Sequence, residues 1–290
     1  MKMYKGFDKD LKCRDFQYEI GKTYEELTVE LCKKGFHACE YPLDVFKYYA
    51  PGNMSRYCEV DLDEVSGKKC VEDSKRCGKK IAVKAEIDIA GIVKAAVDYT
   101  MEKAIPENSE HATGERGAAS ATGERGAASA TGERGAASAT GLRGAASATG
   151  WQGAASATGL RGAASATGLL GAASATGELG AASATGELGA ASATGEQGAA
   201  SATGWQGAAS ATGLRGAASA TGEEGVAAAL GNDSKAKGAL GCWIVLAEWG
   251  IDEESNWHRK DVQCFKVDGE TVKPNTWYTL KDGRPVEVDE

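Results

Sequence analysis

The sequence predicts a mainly β protein: a nonapeptide-repeat β-solenoid of about 18 residues per coil, between an N-terminal α+β domain and a small C-terminal antiparallel β cap. Three observations carry this. The unit Ala-Thr-Gly-x-x-Gly-Ala-Ala-Ser recurs almost without error from Ala112 to Ala220, and a fixed short period dictates architecture. Variation is confined to the two x positions, as solvent-exposed corners would allow. On either side the period is lost and ordinary α and β patterns take over. The boundaries read as 1–104, a linker at 105–111, the solenoid at 112–231 and the cap at 232–290.

In the first module, Thr23-Tyr-Glu-Glu26 has the form of a capping box, opening a helix through Leu27, Val29, Leu31 and Cys32 that Gly35 would stop. Phe36–Cys39 reads as a short buried strand. Pro42 suits the first turn of a helix reaching Tyr49. Arg56–Leu62 and Ile81–Ile89 alternate as strands do, and Ala90–Ala104 places Ile92, Val93, Ala96, Val97 and Met101 on one helical face.

Within the array, Ala118-Ala-Ser-Ala-Thr122 is the strand and Gly123-Glu-Arg-Gly126 the corner, with glycine at both ends to permit positive φ. Disorder fits poorly, since a linker needs no strict period. Collagen fits poorly too, since every third triplet starts with Ser and no Pro occurs between 107 and 273. Two repeats per coil give a flattened roll; a three-sided coil of 27 residues is the alternative. Strand parity stays open. With Ala119 and Ala121 inside, the core is alanine and Ser120 and Thr122 form outward ladders; with the other face inside, the hydroxyls are buried. Val226 and Leu230, in the Ala118 and Thr122 columns, favour the second arrangement near the end. In the last module, Cys242–Trp249 and Val262–Val267 read as strands, followed by Trp277–Leu280 and Pro285–Val288. Trp243, Ile244, Leu246 and Trp249 are placed to cover the open end of the stack.

Charge narrows the partners. Six Glu balance six Arg over 112–222, while 223–290 holds 14 acidic and 8 basic residues. A neutral array with an acidic end is a poor match for nucleic acid. No apolar run is long enough to span a bilayer, so no membrane insertion is expected. The N-terminus lacks a signal-peptide core, which points to a cytoplasmic or phage-associated protein. The eight Cys form no Cys-x-x-Cys pair; Cys32/Cys39 and Cys70/Cys77 do not have zinc spacing, and the array lacks the Asp of calcium-binding rolls, so no metal or cofactor is expected. The corner residues Trp151, Leu170, Leu179, Leu188 and Trp205 form the candidate binding surface, for a protein partner or for a neighbouring copy in a dimer or trimer.

Lys34-Gly-Phe-His-Ala-Cys-Glu-Tyr-Pro-Leu-Asp-Val-Phe-Lys-Tyr-Tyr49, with Tyr4-Lys-Gly6, Arg56-Tyr-Cys-Glu-Val60 and Gly241-Cys-Trp-Ile-Val-Leu-Ala-Glu-Trp249, resembles an uncharacterised family of gut bacteria and their phages. In that family such a module precedes a Gly/Ala/Ser/Thr repeat array, and the resemblance implies no activity. The array is also loosely similar to the head repeats of trimeric autotransporter adhesins, which implies a trimer. Tyr4-Lys-Gly6, Gly35-Phe-His37 and Glu59 are loosely similar to ADP-ribosyltransferase strand motifs, with Lys5 in place of the usual Arg. That likeness would make His37 and Glu59 catalytic; the plainer reading of His37 is a hydrogen-bonded core residue. The expected function is non-enzymatic binding or scaffolding. The alternatives are phage counter-defence, an ADP-ribosyltransferase-like enzyme, and ice or surface binding through Ser-x-Thr ladders.

Overall fold

The computed structural model describes residues 1–28, 34–51, 55–66, 73–103 and 109–288. The N-terminal strands are β1 (Lys2–Phe7), β2 (Lys12–Cys13), β3 (Phe16–Gln17), β4 (Thr23–Glu25), β5 (Phe36–Cys39), β6 (Arg56–Val65) and β7 (Lys75–Ile87). Among the described residues, five of them form a sheet in the order β4-β7-β5-β1-β6. The sheet closes on itself because β7 pairs with β5 through Lys75–Gly78 and with β6 through Gly78–Ile87. Gly78 permits this double duty: a Cβ there would lie 2.6 Å from the Asp63 carbonyl oxygen. Met3, Phe7, Leu11, Val60, Leu62, Ile81 and Val83 fill one core beneath it.

Two local expectations are corrected. Thr23–Glu25 is not a helix start but a strand paired with Lys80–Ala82 of β7. Thr and Tyr suit strands, and an available sheet edge outweighs a capping signal. Leu27 lies before any helix and is exposed, while Val29–Cys32 lie outside the described residues. The segment from Pro42 is a 3-10 helix, Pro42–Lys47. The long helix forms as expected, as α1 (Ile89–Lys103). Asp88 caps it by accepting from the Gly91 amide at 2.8 Å.

The array is a β-solenoid of 18 residues per coil. Strands β8 (Ser109–Thr113), β9 (Ala118–Thr122) and β10 (Ala127–Thr131) begin a series in which alternate strands pair in parallel and in register, residue i with i+18 until the last front-sheet pair, where Val226 meets Trp243 at i+17. The coils run from about residue 110 to 246. The pairing includes Ser109–His111 at one end; at the other it takes in β22 (Lys235–Gly238) and β23 (Trp243–Ile251). Even-numbered strands from β8 to β22 form a back sheet and odd-numbered ones from β9 to β23 a front sheet.

Strand parity is settled in favour of an alanine interior. The second and fourth residues of each strand, as in Ala119/Ala121 and Ala128/Ala130, face inward on both sheets. The expectation drawn from Val226 and Leu230 is overturned: Val226 pairs beside Trp243 on the outer surface and both are exposed. Methyl-only interiors let the two sheets approach closely and keep the hydroxyls out of the space between them; on the front sheet they face outward, whereas Ser183, Ser201 and Ser219 of the back sheet are buried beneath the N-terminal domain. The corner glycines also differ. The first of each pair from Gly114 to Gly213 has positive φ, as Gly168 at 152°, whereas none of the second glycines does. Gly168 also lies so close to the Gly150 carbonyl oxygen of the adjacent coil that no Cβ fits.

The stack is closed by larger residues. Cys242, Ile244, Leu246, Val267, Val272, Tyr278 and Leu280 continue the alanine interior. They come from β23, β25 (Tyr278–Lys281) and the turns; β24 (Trp257–Lys266) pairs antiparallel with β23, and β25 with β22 and β26 (Arg284–Glu287). Of the four residues expected to cover the end, Ile244 and Leu246 are buried there. Trp249 instead donates its indole N–H to the Leu230 carbonyl at 3.1 Å, and Trp243 points outward.

Candidate binding surfaces

An 18-residue coil built from nine-residue repeats sends successive corners to opposite edges. One edge carries, in stacking order, Glu124-Arg125, Leu142-Arg143, Leu160-Arg161, Glu178-Leu179, Glu196-Gln197 and Leu214-Arg215. The other carries Glu115-Arg116, Glu133-Arg134, Trp151-Gln152, Leu169-Leu170, Glu187-Leu188 and Trp205-Gln206.

The N-terminal domain occupies the back sheet and the first of these edges. Helix α1 lays Ile89, Ile92, Val93, Ala96 and Val97 against Ala145, Ala163, Ala181, Ala199 and Ala217, the outward alanine column of the back sheet. At the edge, the fully buried Asp44 carboxylate lies 2.8 Å from Nε of buried Arg161 and 3.9 Å from Arg143. The Arg161 contact is close but not aligned as a hydrogen bond. Asp44 also accepts from the Ser74 amide at 2.7 Å. Tyr41 donates its hydroxyl to the Arg161 carbonyl at 3.0 Å, and the Arg143 guanidinium lies 5.1 Å from the Tyr41 ring centre. Burial raises the Tyr41 hydroxyl pKa far above the usual phenol range.

This docking divides the candidate corner residues. Leu179 is 3% exposed and packed into the domain junction, so it is not available on the surface. Leu170 is half-buried. Trp151, Leu188 and Trp205, at 56%, 44% and 45%, are exposed on the opposite edge. Trp151 and Trp205 occupy one column, three coils apart, with Leu169 and Glu187 between them.

The front sheet bears the same residues as the back sheet, and among the described residues nothing lies over them. Its outward columns are Ala118 to Ala208 ending in Val226 and Trp243, Ser120 to Ser210, and Thr122 to Thr212. A shallow, predominantly apolar groove of about 880 Å³ runs along the first two columns. Hydroxyl ladders run outside the stack: Thr194 and Thr212 approach to 3.4 Å on the front, and Thr203 and Thr221 to 3.2 Å on the back.

In the N-terminal domain, His37 and Glu59 do not meet in one cleft. His37 lines a cavity with Lys5 and Tyr49, while Glu59 lies in another cleft and pairs with Lys2 at 2.7 Å. Burial, helped by the charges of Lys5, Lys75 and Arg14, lowers the His37 pKa to about 4. Cys13, Cys39, Cys58, Cys77, Cys242 and Cys264 are free thiols; Cys32 and Cys70 lie outside the described residues. Burial, the largest cause, raises the Cys58 thiol to about 12. Among the described residues no three His, Cys, Asp or Glu come together to hold a metal, and no helix is long and apolar enough to cross a membrane. The docking set of Tyr41, Asp44, Arg143 and Arg161 escapes sequence reasoning. Its only signal is that Arg occupies the second corner position on this edge at 125, 143, 161 and 215.

Residues 1–95 match a family described as Domain of unknown function (DUF7666). The match covers about a third of the chain, ends inside α1 and places the N-terminal module in an uncharacterised domain family. No curated protein matches the chain. No solved structure matches it either.

Proposed function

We propose that the chain is a non-enzymatic binding and scaffolding protein that self-associates through its front sheet and presents Trp151, Leu188 and Trp205 to a protein partner along one edge. The observation that carries the reading is the unequal treatment of two equal surfaces. The back sheet's alanine column is covered by an apolar helix of the same chain; among the described residues the front sheet's is bare. The seven repeat strands of the front sheet, from Ala118–Thr122 to Val226–Ala229, at ~4.8 Å spacing and five residues at ~3.3 Å give about 550 Å² per copy. Two copies face to face would bury roughly 1,100 Å², just above the ~1,000 Å² that a biological interface requires. A flat face of small residues meets its own copy across a two-fold axis, with Ser and Thr hydroxyls exchanging hydrogen bonds, so a dimer is favoured over a trimer.

Light scattering on the full chain tests this. A dimer is expected at micromolar concentration, and Ala172→Arg at the centre of the front face should make it monomeric without loss of helix or strand signal. A wild-type chain that stays monomeric at about 1 mM, where an interface of this size would be populated, removes the self-association. A second reading, ice or crystal-surface binding, is favoured by the outward, in-register Thr ladder of the front sheet. It requires thermal hysteresis that Thr176→Val preserves and Thr176→Lys abolishes; absence of hysteresis in the wild-type chain eliminates it.

A further inference from the structure

Strands β1 and β5 pair only at Tyr4 and Cys39. Beyond that pair lies a cleft of about 720 Å³, lined by Lys5, His37, Tyr49, Phe16, Tyr18 and Lys75 among others. Gly6 lets Tyr49 pack directly on β1 at the edge of the cleft: a Cβ there would meet the Tyr49 side chain at 2.7 Å. Lys5 lines this cleft although the residue is only 5% exposed. It donates to the His37 carbonyl at 3.0 Å and to the Cys13 sulfur at 3.5 Å. It also lies 5.4 Å from the ring centres of Phe7 and Tyr18. None of these partners is a carboxylate. A buried cation without an anion is costly, and a carbonyl with two ring faces offsets only part of that cost.

The rest of the cleft adds to the same field. Arg14 and Lys75 line it as well, and their charges, with that of Lys5, act on His37. Lys75 donates to the Tyr48 hydroxyl at 2.9 Å, and that hydroxyl contacts Asp73. The acidic groups on the lining are Asp15, which is exposed, and Glu26, which pairs with Lys34 at 3.7 Å. Beside the cations stands an aromatic cluster, of which Phe16, Tyr18 and Phe36 line the cleft. Phe16, Tyr18, Tyr24 and Phe36 pack edge to face, and Phe16 is exposed at the mouth.

We infer that this cleft binds a small aromatic phosphate of nucleoside-monophosphate size, its anion reaching Lys5 and Arg14 and its flat ring lying on the exposed Phe16 ring. The volume suits a ligand of a few tens of atoms, and a buried ammonium beside an apolar wall is complementary to an anion joined to a ring. The inference rests on the N-terminal domain alone and is independent of the scaffolding reading.

Calorimetry on the full chain with adenosine 5′-monophosphate, adenosine and inorganic phosphate tests it. The monophosphate is expected to bind below about 1 mM, with each half of it at least about tenfold weaker. Lys5→Met should weaken the monophosphate at least about tenfold. Should that variant not fold, the exposed Arg14→Gln should still weaken it at least about threefold. By NMR, the His37 imidazole pKa should rise from about 4 on binding, because the anion offsets the cations around it. No binding at about 5 mM, binding of inorganic phosphate equal to that of the nucleotide, unchanged affinity in the folded variants, or an unmoved His37 would each overturn the assignment.

Discussion

Two glycines that occupy equivalent-looking places in the repeat should respond oppositely to a methyl group. Gly168 opens its corner with φ 152°, and an added Cβ would lie at less than half an ordinary contact distance from the Gly150 carbonyl oxygen. Relief requires the two coils to separate at that corner. Separation sacrifices the bond from the Gly150 amide to the Thr167 carbonyl, 2.9 Å, and that from the Leu170 amide to the Trp151 carbonyl, 2.8 Å. At about 1 kcal/mol each, plus about 1–3 kcal/mol for a side chain in that backbone region, Gly168→Ala should cost roughly 3–5 kcal/mol. Gly171 closes the same corner without positive φ, and its added Cβ would meet Ala166 at 3.3–3.5 Å, near normal contact. Gly171→Ala should therefore stay within about 1 kcal/mol of the wild type, its tight fit offset by a less flexible unfolded chain. Thermal unfolding by circular dichroism reads the difference. At about 2–4 °C per kcal/mol, Gly168→Ala should fall by roughly 10 °C and Gly171→Ala by little. Equal midpoints for the two variants would refute the coil-to-coil contact and with it the separate roles of the corner glycines.

Two further substitutions probe the N-terminal domain. Asp44→Asn should leave the Arg161 guanidinium buried without its counter-charge and cost about 3–5 kcal/mol, whereas Asp44→Leu with Arg161→Leu should recover most of it. Urea unfolding and proteolysis at the junction measure both, and a single variant as stable as the double would contradict the account. His37 should make stability pH-dependent in a defined window. Its folded pKa of about 4 lies below the unfolded value of about 6.5, so between these values the unfolded state binds the extra proton. Stability is then full above pH ~6.5 and falls as pH drops to ~4, by about 1–2 kcal/mol once solvent screening of the partly exposed imidazole is allowed for. His37→Gln should flatten that part of the urea-midpoint profile, and a profile unchanged by the substitution would show that the imidazole is not held neutral by its surroundings.

Most of the solenoid was legible in the residues, because each part of the repeat obeys a local rule. Five β-compatible residues make a strand, glycine makes a corner, and variable residues occupy corners that face solvent or a neighbour. Parity was not legible, because Ala118/Ser120/Thr122 and Ala119/Ala121 are both small enough to face a second sheet, and Val226 pointed the wrong way. What decides it is cooperative: the alanine methyls mesh in every coil at once, a sum no single repeat displays. The capping signal at Thr23–Glu26 misled for a related reason, since the strand that outcompetes it, β7, lies more than fifty residues away. At the candidate sites, Trp151 and Trp205 were visible as large residues in a small-residue background. The Asp44–Arg161 junction and the Lys5 cleft depend on tertiary placement; neither leaves a motif.

The two-repeat coil has a consequence for how the chain tolerates length. Every strand reads Ala-Ala-Ser-Ala-Thr, so the helix face on the back sheet meets the same alanines whichever repeats supply them. Corners and the cap are not interchangeable: β23 extends the front sheet, and Trp277 packs with the back-sheet cluster beside the N-terminal domain. Deleting Ala190–Gly207 removes one coil of 18 residues and returns every later element to its own side. Deleting Ala190–Gly198 removes half a coil and moves each later strand to the opposite sheet. The cap then turns Trp243 toward the N-terminal domain and takes Trp277 away from it. In a stack whose stability is a sum over coils and their interfaces, the longer deletion should cost only one coil's share. The shorter one should lose the cap's contacts altogether and expose the alanine interior to proteolysis near Cys242. Unfolding midpoints and protease fragments of the two variants decide the matter. A nine-residue deletion as stable as the eighteen-residue one would mean that the cap recognises either sheet, and that the alternation of edges, on which the placement of Trp151 and Leu179 depends, exerts no control over assembly.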